Sequence, residues 1–381
     1  MTRGRWVAEC LEECGTYRIL SDVFRLYLSK KAANGLRFMK NSKNIFFLFG
    51  LILFVACQNG QKIFSNDETR IRQFDAAYEV KGEVFLDDEY GILDLIAVGD
   101  YLALTSVKRE NVFFLYDPDG TKLGAFGTIG HGPDELLNCR YTGQIEKDES
   151  GCKIWINDVS NSSLKLIDLD SSRRAGKIVA EKTIPFPGPA ANCYYGNDSL
   201  LYVEKWLNDN YEMARYNYQT GKNEAQKLYR QPVNKPFSVY KGIWRKHPRR
   251  TVMVNAMHSL NRINILNMSD GTRIALIVGE DNISLENAVD KNSGLEKHTY
   301  YCDLAVSEDR IYALWMDQPY EDAYETPKTQ EIHVFDWNGR PKARLKVPEY
   351  ICGFTVDEKS RTAYGITHEE IIYRYRLPEI R

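Results

Sequence analysis

The sequence predicts an all-β protein, a six-bladed β-propeller whose last blade is completed by a strand from the N-terminal side of the chain. Three observations lead to this fold class. After residue 57 the chain consists of short runs with two-residue apolar alternation, which is typical of strands. Turn signals follow one strand of each set, and the sets recur about every 50 residues. No segment after residue 57 has helical periodicity, so no helix is expected there.

The clearest strand of each repeat ends in a turn. In the first repeat the turn is Asp117-Pro-Asp-Gly120, where Gly120 can adopt the positive φ of a tight reversal. The six predicted outer strands are Asn111–Asp117, Ser163–Asp168, Glu212–Asn217, Arg262–Asn267, Glu331–Asp336 and Glu370–Arg376. The inner strands that precede them are Tyr101–Ser106, Lys153–Asn157, Leu200–Glu204, Thr251–Asn255, Arg310–Trp315 and Thr362–Ile366. This recurrence favours a propeller over a sandwich or a two-domain α/β protein.

The last repeat lacks a fourth strand, because the chain stops at Arg381 shortly after the sixth outer strand. An open ring would expose an unpaired strand edge, which natural proteins avoid. The segment Tyr78–Leu86, before the first repeat, has the alternation of a strand. We therefore predict that it pairs with Glu370–Arg376 and closes the last blade.

The N-terminal quarter of the chain predicts export and lipid attachment. Lys40 and Lys43 precede an apolar run from residue 45 to 55, which is too short to cross a bilayer comfortably, and Ala56-Cys57 follows. We expect translation to begin at Met39, residues 1–38 to be a wrongly assigned leader, and residues 39–56 to be a signal peptide that leaves Cys57 lipidated. One alternative is an uncleaved anchoring helix. Residues 57–73 are predicted to be a flexible tether and residues 74–381 the propeller.

Charge and cysteine usage exclude two classes of function. Residues 57–381 carry 41 basic and 48 acidic side chains, so nucleic-acid binding, which needs a basic footprint, is not expected. The cysteines contain no C-x-x-C pair, which argues against structural zinc. Those after Cys57 are interpreted as buried and unpaired, with a disulfide between distant ones as the alternative.

A family resemblance supports the predicted fold. The signal segment, the six units and the loop GTIGHGPDEL, residues 127–136, resemble the TolB-like six-bladed propeller lipoproteins of Bacteroidota, although Asp134 replaces the third glycine of their usual loop. Residues 155–170, WINDVSNSSLKLIDLD, resemble the NHL-type blade. The resemblance covers about residues 75–381 and implies a propeller in the cell envelope, lipid-anchored to the inner or outer membrane and facing the periplasm or the cell surface. It transfers no catalytic residues.

Propeller connectivity places the loops between second and third strands on the same face as the crossings between blades. Long inserts at residues 281–298 and 316–329 fall on that face, and long inserts in compact domains are often functional. The candidate ligand-binding residues there are His131, Asp134, Glu135, Arg140, Asp158, Asn161, Trp206, His258, Asp317, Tyr320 and His368. Structural roles are the alternative for some of them: the glycine-rich loop is a structural crossing, and Asp158 and Asn161 stabilise a turn. A separate alternative is that His131, His258 and His368 form a metal site.

Two functional hypotheses follow. Motifs of serine hydrolases, zinc proteases and phosphate-binding loops are absent from the sequence. The first hypothesis is a membrane-anchored, non-catalytic module without a cofactor that binds a carbohydrate or a protein partner. The second is a calcium-assisted hydrolase or lyase acting on a sugar or lactone, with carboxylate and amide ligands from several blades. Three or more such side chains converging in the channel would favour the second hypothesis, and an aromatic and neutral-polar mouth the first.

Overall fold

A computed structural model of the protein describes residues 68–149, 151–186, 192–207, 210–226, 241–280, 298–319, 322 and 329–381. These residues belong to one compact unit, Lys62–Arg381. Within the described ranges the chain forms six sheets of four or five strands, which are the blades of a propeller. The predicted all-β, six-bladed fold is therefore confirmed.

The elements follow one another in a regular order. The N-terminal strands are β1 (Glu68–Ile71), β2 (Ala76–Glu79) and β3 (Gly82–Leu86). Blade 1 contains β4 (Ile92–Val98), β5 (Tyr101–Ser106), β6 (Phe113–Tyr116) and β7 (Lys122–Phe126), and the crossing after it contains the short pair β8 (Thr128–Ile129) and β9 (Glu135–Leu136). Blade 2 contains β10 (Cys139–Asp148), β11 (Gly151–Asp158), β12 (Ser163–Asp168), helix α1 (Leu169–Ala175) and β13 (Ala180–Pro185).

The remaining blades repeat this order. Blade 3 contains β14 (Asn192–Asn197), β15 (Leu200–Leu207), β16 (Asn210–Asn217) and β17 (Lys222–Gln226). Blade 4 contains β18 (Gly242–Lys246), β19 (Val252–Met257), β20 (Arg262–Asn267) and β21 (Arg273–Val278). Blade 5 contains β22 (His298–Val306), β23 (Arg310–Pro319), β24 (Gln330–Asp336) and β25 (Pro341–Val347). Blade 6 contains β26 (Ile351–Asp357), β27 (Thr362–Thr367) and β28 (Ile372–Arg376), and it is completed by β3.

The predicted strands occupy the middle of each blade. The six predicted inner strands correspond to the second strands, and the six predicted outer strands to the third strands. The first strands of the blades lie innermost, since neighbouring blades contact one another through β4, β10, β18, β22 and β26. Buried apolar clusters join adjacent blades, as where Phe113 and Phe126 of blade 1 pack with Ile154 and Ile167 of blade 2. The innermost strands therefore enclose a central channel.

Closure of the ring follows the prediction. Strand β3 pairs antiparallel with β28, with Leu86 opposite Ile372 and Glu83 opposite Arg374. The closing strand is shorter than predicted, because Tyr78 lies in β2, which pairs parallel with β25 of blade 5. Backbone pairing with the exposed edge of β25 decides this position, since β2 runs parallel to β25 from Ala76 to Glu79.

Residues 68–86 form an N-terminal belt over the last three blades. Strand β1 pairs parallel with β21 of blade 4, β2 follows the edge of blade 5, and β3 completes blade 6. Strand β1 lies inside the segment expected to be flexible tether, so part of that segment, Glu68–Ile71, is a strand of the propeller. The four residues of β1 have little apolar patterning, and only the unpaired edge of β21 makes them a strand.

One expectation about secondary structure is wrong, because a helix is present after residue 57. Helix α1 begins after Asp168, whose carboxylate accepts a hydrogen bond from the Ser171 backbone, and ends at Gly176 with φ of 67°. Seven residues are too few for a periodicity signal, so only these capping residues could have indicated the helix. No helix in the described part of the chain has the length and apolar character needed to cross a bilayer.

Candidate functional site

The two faces of the propeller carry loops of different kinds. The face that carries the loops between second and third strands and the crossings between blades is here called the upper face, and the opposite one the lower face. The candidate residues His131, Asp134, Glu135, Arg140, Asp158, Asn161, His258, Asp317 and His368 all lie on the upper side. Trp206 belongs to β15 near the same face, and Tyr320 lies outside the described residues.

The upper end of the channel opens into a cavity of about 700 Å³, here called the mouth cavity. Five blades contribute to its lining, which includes the charged or polar residues Asp94, Asn138, Arg140, Asn192, Glu204, Lys241, Arg245 and His258. Tyr141, Tyr194 and Trp244 supply aromatic surface. Of the sequence-predicted candidates, only Arg140 and His258 line this cavity. The lining is more charged than the neutral-polar mouth that the first functional hypothesis anticipated.

A second cavity of about 240 Å³ continues the channel towards the lower face and is here called the channel chamber. Four residues, Asp94, Tyr141, Arg245 and Cys302, line both cavities. They therefore form the floor of the mouth cavity and the roof of the channel chamber. Three of the first strands, β4, β18 and β22, supply the charged groups at this level, which include Asp303 beside the chamber.

Arg245 is held at this floor by blades 4 and 5. Its Nη2 lies 3.5 Å from Oδ1 of Asp303, and its Nη1 donates to the Trp244 carbonyl at 3.0 Å. Asp303 in turn accepts backbone hydrogen bonds from Leu304 at 2.7 Å and Phe354 at 2.8 Å. The guanidinium and the carboxylate are both about four-fifths buried. The pair is thus fixed in the channel wall by backbone groups of its own blades and of blade 6.

Asp94 supplies the carboxylate of blade 1 at the same level. It accepts hydrogen bonds from the Thr105 hydroxyl at 3.0 Å and from the Tyr141 backbone at 3.3 Å. Enclosure in the channel raises the pKa of both Asp94 and Asp303, and the positive charge of Arg245 opposes that rise at each. Asp94, Arg245 and Asp303 therefore form one electrostatic unit, here called the channel triad.

Bulges in the innermost strands make room for the channel triad. Strand β10 shifts register between Tyr141 and Ile145, and within that bulge Gly143 has φ of 80°. A Cβ atom at Gly143 would overlap the side chain of Arg245, so glycine is needed there on grounds of space and backbone conformation. Strands β4 and β22 shift register immediately before Asp94 and Asp303. Such bulges re-aim side chains, in this protein into the channel.

The crossing after blade 1 is stabilised from within. Asp158, which is fully buried, accepts hydrogen bonds from the backbones of Leu137 and Asn138 at 3.2 and 3.3 Å and from the Asn161 amide at 2.7 Å. Lys165 lies 3.6 Å from the same carboxylate and donates to a backbone carbonyl of the crossing at 2.9 Å. Asp158 and Asn161 thus hold the crossing against blade 2, as the structural alternative predicted.

The other candidates of the glycine-rich loop serve the same purpose. Nδ1 of His131 lies 2.8 Å from the Asn161 amide oxygen, and Glu135 accepts the Gly132 backbone N–H at 2.8 Å. The Glu135 carboxylate packs so closely on Gly130 that a Cβ there would overlap it. Asp134 forms a surface ion pair with Lys177 at 2.7 Å. The loop is therefore packed on itself, and none of these side chains lines the mouth cavity.

The three candidate histidines have separate partners. His131 contacts Asn161, His258 Nδ1 lies 2.7 Å from the Tyr301 carbonyl oxygen, and His368 stacks on Tyr350 with ring centroids 5.9 Å apart. Asp317, with φ of 48°, contacts His298 at 2.9 Å on blade 5. Within the described ranges no three His, Cys, Asp or Glu side chains are grouped as metal ligands would be.

The channel carboxylates do not fit a calcium ion either. Calcium takes about six to eight oxygen ligands. Asp94 and Asp303 face a guanidinium and several backbone N–H groups, which use the oxygens that a cation would need. The donor set of the channel triad therefore suits a fixed internal ion pair.

The cysteines of the propeller are free thiols in the described residues, as interpreted from the sequence. Cys139, Cys152 and Cys193 are buried, and Cys302 and Cys352 are half-buried beside the channel. Burial raises the pKa of Cys139 to about 12 and that of Cys352 to about 11. Thiols with such pKa values are mainly protonated at neutral pH, so they are poor nucleophiles.

The sequence-based reasoning missed most of the cavity lining, including Asn192, Glu204, Lys241 and the channel triad. Glu204 is buried in β15 and accepts a hydrogen bond from the Asn192 amide at 2.5 Å. One signal was available: a charge follows an apolar residue inside three first strands, at Leu93-Asp94-Leu95, Trp244-Arg245-Lys246 and Cys302-Asp303-Leu304. A charge inside a predicted strand at equivalent places in several repeats indicates convergence on the axis.

Six blades around a polar channel mouth define a TolB-like propeller. Residues 93–359 match the family model described as TolB-like 6-blade propeller-like, and the chain belongs to this family. A member of the DUF4221 family from Bacteroides vulgatus ATCC 8482 has a similar crystal structure, with a TM-score of 0.52 and 14% sequence identity over 80% of this chain and 99% of that one. A candidate exported protein from Bacteroides fragilis NCTC 9343 has a TM-score of 0.48 and 12% identity over 82% of this chain and 100% of that one. No curated protein matches the sequence.

Proposed function

We propose that this protein is a lipid-anchored propeller of the cell envelope that binds a small polar ligand in its mouth cavity without transforming it. The observation that carries the proposal is the convergence of charged, amide and aromatic side chains from five blades on one cavity of about 700 Å³. Cavities of this size suit small molecules, and a few well-placed polar groups give them specificity. A rigid ring of blades keeps those groups in place.

The chemistry of the lining favours binding over catalysis. A catalytic centre needs a nucleophile or a base that is free to react. In the described part of the cavity the carboxylates of Asp94 and Glu204 accept hydrogen bonds from neighbouring side chains, and the thiol of Cys302 has a raised pKa. The calcium-assisted hydrolase loses support for the same reason, because the channel carboxylates are matched to Arg245.

Changing Cys57 to Ala should move the protein from the membrane fraction to the soluble fraction. The reason is that the lipid on this cysteine is the proposed anchor, and acyl chains hold a protein at a membrane through the burial of their CH₂ groups. Fractionation followed by immunoblotting measures the effect, and we expect most of the protein to shift. Gln58→Ala is the matched control and should stay with the membrane. Retention of the Cys57→Ala variant at the membrane would contradict lipid anchoring.

Val159→Trp should weaken ligand binding by obstructing the mouth cavity, since Val159 is half-buried in its lining. Thermal-shift screening of the full-length protein in detergent, against monosaccharides, sugar acids and amino acids, supplies the ligand. Titration calorimetry then measures its affinity, which we expect to fall at least tenfold in this variant. The sequence-based candidates Trp206, Asp317 and Tyr320 are tested in the same way as alanine variants.

Arg340→Ala is the matched control for the mouth variant, because Arg340 is exposed beside a turn of the lower face. It should bind the ligand as the wild type does. A ligand that binds Val159→Trp normally but fails to bind Arg340→Ala would place the site on the lower face and overturn the proposal.

A further inference from the structure

We infer that the mouth cavity selects an anionic sugar, a polyhydroxylated ligand whose carboxylate or phosphate is bound by Arg140 and Lys241 above the floor formed by Arg245. The inference rests on the proposed function and specifies the ligand class of that site. The charge distribution, the fixed floor and the opposite wall of the cavity each support it.

The first support is an excess of positive charge at the mouth. Arg140, Lys241 and Arg245 line the cavity, against Asp94 and Glu204. Arg245 is matched by the carboxylates of the channel triad, whereas Arg140 and Lys241 are exposed and form no ion pair with the described residues. Two cations that form no ion pair with the described residues thus lie at the opening, in a chain whose residues 57–381 carry 41 basic and 48 acidic side chains. A basic opening on an acidic protein attracts anions selectively.

The second support is that the floor is built before any ligand arrives. Asp303 and the Trp244 carbonyl hold the guanidinium of Arg245, and the bulge at Gly143 provides the space that it occupies. A floor fixed in this way needs no reordering when a ligand enters, and preorganisation of this kind lowers the entropic cost of binding. The anion itself is left to the Lys241 ammonium and to the guanidinium of Arg140, whose planar geometry matches carboxylate and phosphate oxygens.

The third support is the polar wall that blade 3 contributes. Glu204 is buried and accepts a hydrogen bond from Asn192, and both side chains line the cavity. A carboxylate there repels an anion but accepts hydrogen bonds from hydroxyl groups, and the amide can exchange donors and acceptors with them. The lining is therefore complementary to a ligand that has an anionic group near Arg140 and Lys241 and hydroxyl groups facing blade 3.

Titration of the full-length protein in detergent with D-glucuronate, D-glucose 6-phosphate and D-glucose tests the inference. We expect at least one of the two anionic sugars to bind no less than tenfold more tightly than glucose, because charge-assisted hydrogen bonds are about twice as strong as neutral ones. The stronger of the two shows whether a carboxylate or a phosphate is preferred. Arg140→Ala and Lys241→Ala should each weaken that ligand about tenfold and leave the affinity for glucose unchanged.

Two lower-face variants control for the loss of charge. Arg340→Ala and Lys359→Ala remove the same charges from exposed positions away from the mouth and should leave all three affinities unchanged. The inference is overturned if neither anionic sugar binds, or if both anionic sugars bind with the affinity of glucose. It is also overturned if the two mouth variants behave like the two controls. Binding of a neutral ligand that is lost in Val159→Trp would then still support the proposed function.

Discussion

Deletion of residues 1–86 should leave a protein that aggregates, whereas deletion of residues 1–67 should leave one that melts close to the wild-type temperature. The longer deletion removes the whole belt and leaves β28 as an open edge in blade 6. It also removes the buried side chains Ile71, Val80 and Leu86, each worth about 1.5–3 kcal/mol. Domains have a total stability of about 5–15 kcal/mol, so this loss is comparable with the whole.

Deletion of residues 1–79 separates the two contributions of the belt. This variant lacks β1 and β2 but keeps β3, so the ring should still close while blades 4 and 5 lose their outermost strands. We expect it to remain soluble and monomeric, with a melting temperature between the other two. Size-exclusion chromatography and calorimetry measure both properties. If the 1–86 deletion were monomeric and melted like the 1–67 deletion, β3 would not be what closes the ring.

The sequence predicted the strands whose pattern is set by local chemistry. Second and third strands are joined within one blade and have apolar alternation, and the turns after several third strands carry Gly in a residue pair such as Asp270-Gly271. Strands β1 and β2 were missed because their position depends on the unpaired edges of β21 and β25, which lie about 200 residues or more further along the chain. An edge can recruit a segment of weak pattern, and no local window contains that information.

The same reasoning explains why the innermost strands were only partly recognised. Register shifts before Asp94 and Asp303 and across Gly143 break the period of two where the channel is narrow. The bulges that hid these strands also aim their charged side chains at the axis. Cavity-lining positions in these strands are therefore ones at which the pattern is irregular, and they were under-represented among the sequence-based candidates.

Some residues that were selected from the sequence as ligand-binding candidates have structural roles instead. Asp158 and Asn161 were conspicuous because short polar side chains follow a strand, but such residues commonly bond to nearby backbone groups. Asp158 bonds to backbone groups that lie near it in space, those of Leu137 and Asn138, which are 21 and 20 residues earlier in the chain, and it is fully buried. Arg140 was selected because of its loop position, and it lines the mouth cavity because it is the second residue of an innermost strand.

Arg245→Met should lower the free energy of unfolding by about 3 kcal/mol near neutral pH. Removing one partner of a buried ion pair costs about 3–5 kcal/mol, and the lower end applies because the guanidinium and Asp303 keep nearly a fifth of their surface exposed to the channel. The Met side chain fills much of the space of the Arg245 side chain, so the loss of unfolding free energy comes mainly from the missing charge. Urea unfolding followed by fluorescence measures it.

Arg249→Met is the matched control. Arg249 pairs with Glu308 at 2.8 Å, closer than Arg245 lies to Asp303, but both side chains are at least half exposed. Exposed ion pairs contribute about 0–1 kcal/mol, so we expect this variant to lose less than about 1 kcal/mol. An equal loss in both variants would show that burial in the channel does not set the strength of the Arg245 interactions.

The loss of unfolding free energy in Arg245→Met should also depend on pH. The pKa shifts of Asp94 and Asp303 decide whether the loss grows or shrinks as the pH rises. In the wild type the pKa values of Asp94 and Asp303 are raised above the unfolded value of roughly 3.9. Their contribution to stability is therefore complete below that value and is lost as pH rises through the folded pKa. Removal of Arg245 raises both pKa values further, because the charge of Arg245 opposed the rise. As the pH increases, the free energy of unfolding therefore falls more in the variant than in the wild type.

The difference in unfolding free energy between wild type and Arg245→Met should consequently be small near pH 4 and largest at about pH 7.5. Adding Asp303→Asn to the variant should recover part of the loss at about pH 7.5, since the amide carries no buried charge and its oxygen still accepts one of the two backbone hydrogen bonds from Leu304 and Phe354. The same second change should have less effect near pH 4, because the raised pKa of Asp303 favours its protonated form as the pH falls. A loss of equal size at both pH values, unrelieved by Asp303→Asn, would mean that Arg245 stabilises the channel by packing against Gly143 and not as the counterion of the channel triad.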